Sequence, residues 1–191
     1  MSESSAIDLL RGANLYLVGM MGAGKSTIGQ LAAEKLGYRF CDTDAVIEQA
    51  TQKRIPEIFA DSGEAAFRAL ESQVLSQLSP YTRLVIATGG GIVLDQENWW
   101  HLHQGVVVWL DVPLAELVRR LQGNQHRPLL QRPDWQKYLA DLLNQRRSRY
   151  AQADIHLAPL PQEDQETVCD RLIEQLRDRI LPPPSSRATD G

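Results

Sequence analysis

The sequence predicts an α/β fold in which a central five-stranded parallel sheet is covered by helices on both faces. Two observations lead to this prediction. Five short apolar runs of the type found in buried strands alternate with segments of helical periodicity. A glycine-rich segment at residues 19–27 joins the first run to the first helical segment. Alternation of this kind builds a three-layer α/β/α arrangement.

The predicted elements follow one another without an internal repeat. Strands are expected at residues 15–18, 38–41, 84–87, 106–110 and 154–157. Helices are expected at residues 25–36, from 42 onward, from a capping box at 61–64 to near 80, and then at 96–103, 111–122, 134–150 and 162–180. We predict a polar lead-in at 1–13, a single domain at 14–181 with a mobile lid at about 123–133, and a disordered tail at 182–191.

Composition narrows the class of protein. The 191 residues carry a formal net charge of −4, which argues against general nucleic-acid binding. No apolar run reaches the length of a membrane span, and the first residues lack the layout of a secretory signal, so we expect no membrane association. The two cysteines, Cys41 and Cys169, are far apart and show no metal or redox spacing. We therefore expect a cytoplasmic protein.

The segment at 19–27 fits the phosphate-binding loop pattern G-x-x-x-x-G-K-[ST]. Its glycines let the backbone N–H groups converge on a ligand, and the dipole of the following helix adds positive potential. Lys25 supplies a charge for the outer phosphates, and Ser26 supplies a hydroxyl for Mg²⁺. The sequence thus predicts a nucleoside triphosphate site formed by Gly22, Ala23, Gly24, Lys25, Ser26 and Thr27.

Carboxylates follow the predicted strands at the same edge of the sheet. Asp42 and Asp44 come after the second strand and Asp111 after the fourth, whereas the third strand ends without an acid. Phosphate-loop enzymes usually place an acid at such a position to help hold Mg²⁺. Asp42 and Asp44 could divide the work between metal and substrate hydroxyl, or could simply cap a helix. Asp111 is also expected to cap the helix that follows it.

Glycines and arginines add to this edge. Gly89, Gly90 and Gly91 follow the third strand and offer bare backbone for a ligand. Between residues 119 and 149 there are eight basic and two acidic side chains, which suits an anionic ligand. Arg146 lies on the apolar stripe of its helix and should point toward protein or ligand. Arg127 suits a lid arginine, whereas Arg68 is explained equally well by a solvated ion pair with its helical neighbours Glu64 and Glu71.

In this order the motifs resemble the shikimate kinase family along nearly the whole chain, from about residue 15 to 157. The resemblance implies a phosphate-loop fold of the nucleoside-monophosphate-kinase type. The matching pieces are residues 19–27, Phe40-Cys41-Asp42-Thr43-Asp44, the segment from Gly63-Glu64 through Phe67-Arg68 to Glu71, Gly89-Gly90-Gly91, Arg127-Pro128-Leu129-Leu130, and Arg146 with Tyr150.

The resemblance implies transfer of the ATP γ-phosphoryl group to the 3-hydroxyl of shikimate, with Mg²⁺ as cofactor, in the chorismate pathway to aromatic amino acids. A monomer that binds only these small molecules is expected. The implied catalytic residues are Lys25, Asp44 and Arg127. Ser26 would ligate Mg²⁺ directly, and Asp42 through water. The implied substrate site is Asp44, Arg68, Gly89, Gly90, Gly91 and Arg146, with Arg120 near the adenine.

Two departures from the family pattern leave questions open. The run Arg146-Arg147-Ser148-Arg149 is more basic than the family pattern, and Arg146 is assigned to the substrate carboxylate because of its position on the apolar stripe. After the fifth strand, residues 158–161 lack the arginine that sometimes flanks adenine. The rival interpretations are a gluconate kinase of the same fold, a nucleoside monophosphate kinase, and a catalytically silent nucleotide-binding protein. The intact Lys25, Ser26, Asp42, Asp44 and Arg127 disfavour the last of these.

Overall fold

The computed structural model describes residues 8–122, 130, 132–160 and 162–180. Within them, five parallel strands form one sheet in the order β2-β3-β1-β4-β5. All four residues of the central strand β1 are buried, as expected for a sheet covered on both faces. The predicted fold class is thereby confirmed. The strands are β1 (Leu15–Val18), β2 (Arg39–Asp42), β3 (Leu84–Ala87), β4 (Val106–Leu110) and β5 (Ile155–Leu157).

Seven helices connect and cover these strands within the described residues. By the right-handed rule for parallel crossovers, α1 lies on one face of the sheet and the helices between β2 and β5 lie on the other. Helix α7 follows the last strand and packs against α1. A 3₁₀ turn at Ile92–Leu94 precedes α4. The helices are α1 (Lys25–Leu36), α2 (Thr43–Thr51), α3 (Ile55–Leu78), α4 (Gln96–Leu102), α5 (Leu114–Leu121), α6 (Trp135–Tyr150) and α7 (Gln165–Ile180).

The helix predicted to start at residues 61–64 is the second of two helical segments in α3, and the first segment was not predicted. The helical segment begins at Ile55, where Glu57 accepts a 2.8 Å hydrogen bond from the Arg54 N–H and Pro56 occupies the first turn. Gly63, with φ 80° and ψ 176°, then breaks the helical geometry. The sequence signal around Gly63 therefore marks the kink at which the second of two helical segments begins.

The expected cap at Asp111 is also wrong. Helix α5 begins at Leu114 with Pro113 at the N-cap position, and the Asp111 side chain bonds to Arg147 on α6 instead. Proline has no side-chain acceptor that could cap the helix. Its fixed φ angle instead sets the backbone direction at the start of α5.

Two apolar clusters position the elements that carry the site. The larger surrounds the sheet, and the smaller one joins α2 to α3 through Ile47, Ile58, Phe67 and Val74. Because that small cluster fixes α2 against α3, it also fixes the relative positions of the polar residues on these two helices. None of the described helices combines the length and the apolar character that a membrane span requires.

Candidate active site

The predicted site residues gather at the carboxyl edge of the sheet. In parallel sheets this edge is where ligands bind. The segment from Gly19 to Gly24 follows β1, Asp42 ends β2, residues 88–91 follow β3, and Asp111 follows β4. One ligand spanning the phosphate loop and the triple glycine would therefore contact several strands at once.

The phosphate loop has the conformation that its glycines predict. Gly22 and Gly24 adopt φ values of 78° and 94°, a region that strongly favours glycine. A Cβ atom at Gly19 would lie 2.8 Å from the Leu110 carbonyl oxygen, so the end of β4 presses directly on the loop. The Lys25 ammonium group donates to the carbonyl oxygens of Gly19 and Met20 at 2.9 and 3.0 Å. The lysine is thus held over the loop, where an anion would bind.

Ser26 and Asp42 meet beside the loop. The Ser26 hydroxyl donates to Asp42 Oδ2 at 2.6 Å, while Asp42 Oδ1 accepts from the Asp44 N–H at 3.0 Å and so caps α2. Asp42 is therefore the residue that caps α2. The paired oxygens of Ser26 and Asp42 are hard ligands of the kind that Mg²⁺ takes. The described residues hold no cluster of three or more His, Cys, Asp or Glu that could bind a metal ion.

Gly89 sits where two carboxylates approach the backbone. Its N–H donates to the buried Thr43 hydroxyl at 3.1 Å, which ties the end of β3 to the start of α2. A Cβ at this position would lie 1.9 Å from Glu71 Oε1 and 3.3 Å from Asp44 Oδ1. Only glycine leaves room for both side chains, and the arrangement places Asp44 beside the bare backbone.

Arg68 lies on the last glycine of this segment. A Cβ at Gly91 would be 2.1 Å from Arg68 Nη1. The guanidinium pairs with Glu64 at 2.9 Å and with Glu71. The Glu64 side chain is 64% exposed but that of Glu71 only 1%. The solvated ion pair anticipated for Arg68 is therefore correct for Glu64 and wrong for Glu71.

The sequence analysis treated Glu71 as a solvated partner of Arg68 and did not predict that its carboxylate is buried in the site. Burial raises the pKa of its carboxyl, and the neighbouring Arg68 partly offsets this effect. Its Oε1 atom has no hydrogen-bond partner among the described residues. A signal was present, because Glu71 is four residues after Phe67 and three before Val74, on the apolar stripe of α3.

Arg146 approaches the same glycines from α6. Its side chain is buried, and Nη1 donates to the Gly90 carbonyl oxygen at 3.3 Å. The fully buried Tyr150 hydroxyl donates to the same oxygen at 2.6 Å. By contrast, Arg147 pairs with Asp111 at 3.0 Å, and Arg149 extends to Gln96. Of the three arginines in the basic run, Arg146 is the one directed at the triple glycine.

Arg120 lies on the outer side of the phosphate loop. Its Nη1 donates to the carbonyl oxygens of Gly22 and Ala23 at 3.4 and 3.2 Å, and its Nε donates to Glu116 at 2.7 Å. Hydrogen bonds from Arg119 and Arg120 lower the pKa of Glu116 to about 2. Arg120 borders a narrow recess that also includes Gly24, Pro159 and Glu163.

The structure thus brings together the predicted residues on α1, α2, α3, α5 and α6. The one predicted catalytic residue that it does not place is Arg127, which lies outside the described residues, as does most of the predicted lid. The described residues define a phosphate-loop kinase site, with an anion cradle at one end and two arginines on a glycine segment at the other.

Comparisons with known proteins agree with this class. A family model described as shikimate kinase matches residues 21–177. Curated shikimate kinases from Thermosynechococcus vestitus and Synechococcus elongatus are 58% and 55% identical over 87% and 89% of this chain, covering 91% and 90% of their own lengths. The solved structure of shikimate kinase from Acinetobacter baumannii in complex with shikimate is 37% identical, with a TM-score of 0.85, covering 88% of this chain and 95% of its own. The chain belongs to the shikimate kinase family.

Proposed function

We propose that this protein transfers the γ-phosphoryl group of ATP to the 3-hydroxyl of shikimate, giving shikimate 3-phosphate and ADP. The observation that carries the proposal is the pair of arginines on the triple glycine: Arg68 lies against Gly91, and Arg146 bonds to the Gly90 carbonyl. They reach the glycine segment from two different helices, at the edge where the phosphate loop also opens.

Two arginines suit an acceptor that carries a carboxylate. Guanidinium groups match carboxylates in a fork geometry and keep their charge at any physiological pH. Arg146 is buried, so its charge calls for an anionic partner when the site is closed. Gluconate also carries a carboxylate, but a second arginine fixed by a buried acid favours the rigid ring of shikimate. No base-recognition pattern supports a nucleoside monophosphate as acceptor.

The nucleotide end would use the loop and its neighbours. Backbone N–H groups of residues 22–27 would bind the phosphates, Lys25 would neutralise charge on the transferring group, and Arg120 would lie by the adenine. Ser26 and Asp42 fit a Mg²⁺ site, where Ser26 would ligate the ion and Asp42 would act through water. When bound, Mg²⁺ supplies charge neutralisation for the phosphates.

Asp44 would act on the attacking hydroxyl. It lies beside Gly89 at the carboxyl edge, where it can orient the 3-hydroxyl and accept its proton as the oxygen attacks the γ-phosphorus. The bond from the γ-phosphorus to the bridging oxygen of ADP breaks in the same step. Phosphoryl transfer depends on positioning and charge more than on covalent catalysis, which fits this residue set. Arg127 would complete the charge stabilisation and the lid would exclude water.

The remaining expectations belong to the same proposal: a cytoplasmic monomer with ATP and shikimate as its small-molecule partners, and no nucleic acid. The test is to identify the product. After incubation with Mg-ATP and shikimate, ³¹P NMR should show one new phosphomonoester coupled to the C3 proton of shikimate. A phosphomonoester coupled to another ring proton would refute the proposed acceptor position, and ADP with inorganic phosphate as the only products would refute the transfer itself.

A further inference from the structure

Two side chains of α6 share one acceptor on the triple glycine. Arg146 and Tyr150 are four residues apart and so lie on the same face of the helix. The Tyr150 hydroxyl donates to the Gly90 carbonyl oxygen at 2.6 Å, at the short end of the range for an O–H donor. Arg146 Nη1 donates to the same oxygen at 3.3 Å, which is slightly long for an N–H donor. The tyrosine therefore holds this carbonyl closely, and the arginine holds it loosely.

The tyrosine itself is fixed by its surroundings. Tyr150 is fully buried, and its ring stacks on that of Trp109 in β4, with the ring centroids 5.8 Å apart and the planes at 22°. Its hydroxyl also lies 3.6 Å from Met20 Sδ in the phosphate loop. Burial raises the pKa of Tyr150, so the hydroxyl keeps its proton at neutral pH and remains a donor.

The shared carbonyl belongs to a residue that lies between the two ends of the site. A Cβ atom at Gly90 would lie 3.3 Å from the Gly19 carbonyl oxygen of the phosphate loop and 3.5 Å from Arg146 Nη1. The backbone of Gly90 thus contacts the loop on one side and the guanidinium on the other. Because Arg146 bonds to this carbonyl, the donors that the carbonyl receives affect how freely the arginine can bind a ligand.

The bonding capacity of Arg146 is not used up by the protein. Its Nε is buried and has no hydrogen-bond partner among the described residues. A guanidinium binds a carboxylate best through two parallel N–H bonds, so a bound carboxylate would draw Arg146 away from the Gly90 carbonyl. With the Tyr150 hydroxyl in place, that oxygen keeps its stronger hydrogen bond. Without the hydroxyl, of the two donors in the described part of the chain only Arg146 would remain, and the carboxylate would have to displace it from a buried acceptor.

We propose that Tyr150 is a positioning residue: its hydroxyl satisfies the Gly90 carbonyl and thereby leaves Arg146 available to the carboxylate of the acceptor. This inference rests on the proposed function and adds to it a residue that does not itself touch the substrate. The hydroxyl acts only on the charged end of the acceptor. Its loss should therefore weaken the binding of a carboxylate and have little effect on an uncharged analogue.

The substitution Tyr150→Phe tests the proposal because it keeps the ring that stacks on Trp109 and removes only the hydroxyl. Tyr16→Phe is a matched control. Tyr16 is also fully buried, and its hydroxyl accepts a hydrogen bond from Asn14 at 3.5 Å. Its ring lies close to Gly105, just before the start of β4, so it is at the opposite edge of the sheet from the triple glycine.

Dissociation constants are measured separately for shikimate, for its uncharged methyl ester and for Mg-ADP with the intact protein. Tyr150→Phe should raise the dissociation constant of shikimate about tenfold, because a buried hydrogen bond must be given up when Arg146 turns to the carboxylate. The same substitution should change the values for the methyl ester and for Mg-ADP by about twofold or less. Tyr16→Phe should leave all three within about twofold of the wild type.

Equal losses for shikimate and its methyl ester in Tyr150→Phe would overturn the proposal, since the hydroxyl would then support the glycine segment in general. An unchanged affinity for shikimate, or an equal loss for Mg-ADP, would overturn it as well. A wild type that binds the ester as tightly as shikimate would do so without any variant. A protein that phosphorylates shikimate but gives one of these results contradicts only the role of Tyr150, whereas a wild type that binds neither shikimate nor its ester contradicts the proposed function.

Discussion

The two acids that pair with Arg68 offer a direct comparison, because the same guanidinium bonds to a buried and an exposed carboxylate. Glu71→Gln keeps an oxygen for Arg68 but removes the charge. A hydrogen bond between charged groups contributes about 1 to 1.5 kcal/mol more than one with a neutral partner. We therefore expect the KM for shikimate to rise about tenfold, because Arg68 is held less firmly against Gly91.

Glu64→Gln is the control for this prediction. The Glu64 side chain is 64% exposed, and exposed ion pairs contribute roughly 0.2 to 1 kcal/mol. The KM for shikimate should then change by about twofold or less. Initial rates of ADP release, measured at saturating Mg-ATP over a range of shikimate concentrations, give both values. Equal effects of the two substitutions would refute the reasoning that burial makes Glu71 the residue that positions Arg68.

Although Glu71→Gln should weaken shikimate binding, it should not lower the folding stability of the protein. Burial raises the pKa of Glu71, so its ionisation favours the unfolded state once the pH exceeds the unfolded value of 4.5. The destabilisation by Glu71 therefore grows as the pH rises from 4.5 to its folded-state pKa and is complete above it. At neutral pH the variant should melt no lower than the wild type by calorimetry. A clear loss of stability would mean that the ion pair outweighs the burial cost.

The raised pKa of Glu71 also predicts a pH effect: the KM for shikimate should rise as the pH falls below that pKa, because Glu71 is then protonated. The Glu71→Gln protein should lack this rise in KM at acidic pH. An identical pH profile in the variant would exclude Glu71 as the source of the rise. Arg146→Ala should weaken shikimate binding by about 2–5 kcal/mol, whereas Arg147→Ala should leave the KM within about twofold. The reverse order would assign the carboxylate to Arg147. Asp44→Asn should lower kcat by about 10²-fold or more with little change in ATP affinity, and unchanged turnover would remove Asp44 from catalysis. Gly89→Ala should abolish activity and lower the melting temperature, because the new Cβ would overlap Glu71; a fully active alanine variant would show that Glu71 can move away freely.

The sequence predicted most of the fold because its signals are local. The phosphate loop, the buried strands and the helix after Asp42 each rest on a few adjacent residues, and the structure has them at the expected positions. The kink at Gly63 shows the limit of such signals. Arg54, Pro56 and Glu57 mark an earlier helix start, and Gly63, nine residues after Arg54, looks in the sequence like a helix boundary as well.

The candidate site was predictable where it depends on spacing along one element, and less so where it depends on tertiary contacts. Arg146 could be placed from the stripe on α6, and Glu71 could have been placed in the same way on α3. The bond between Asp111 and Arg147 joins elements that are distant in sequence, so no local pattern indicates it. The same holds for Arg171, which bonds to the segment after β5 from α7. The domain limits and the role of Arg127 stay predictions.

The central claim is that the two arginines select a carboxylate-bearing ring as the acceptor. It is tested most directly by coupled ADP release with Mg-ATP, comparing shikimate, gluconate and no acceptor at equal protein concentration. The account predicts turnover with shikimate and background rates with gluconate and without acceptor. Equal rates in all three reactions would reveal ATP hydrolysis without transfer. Faster turnover with gluconate would contradict the assignment of the arginine pair to shikimate.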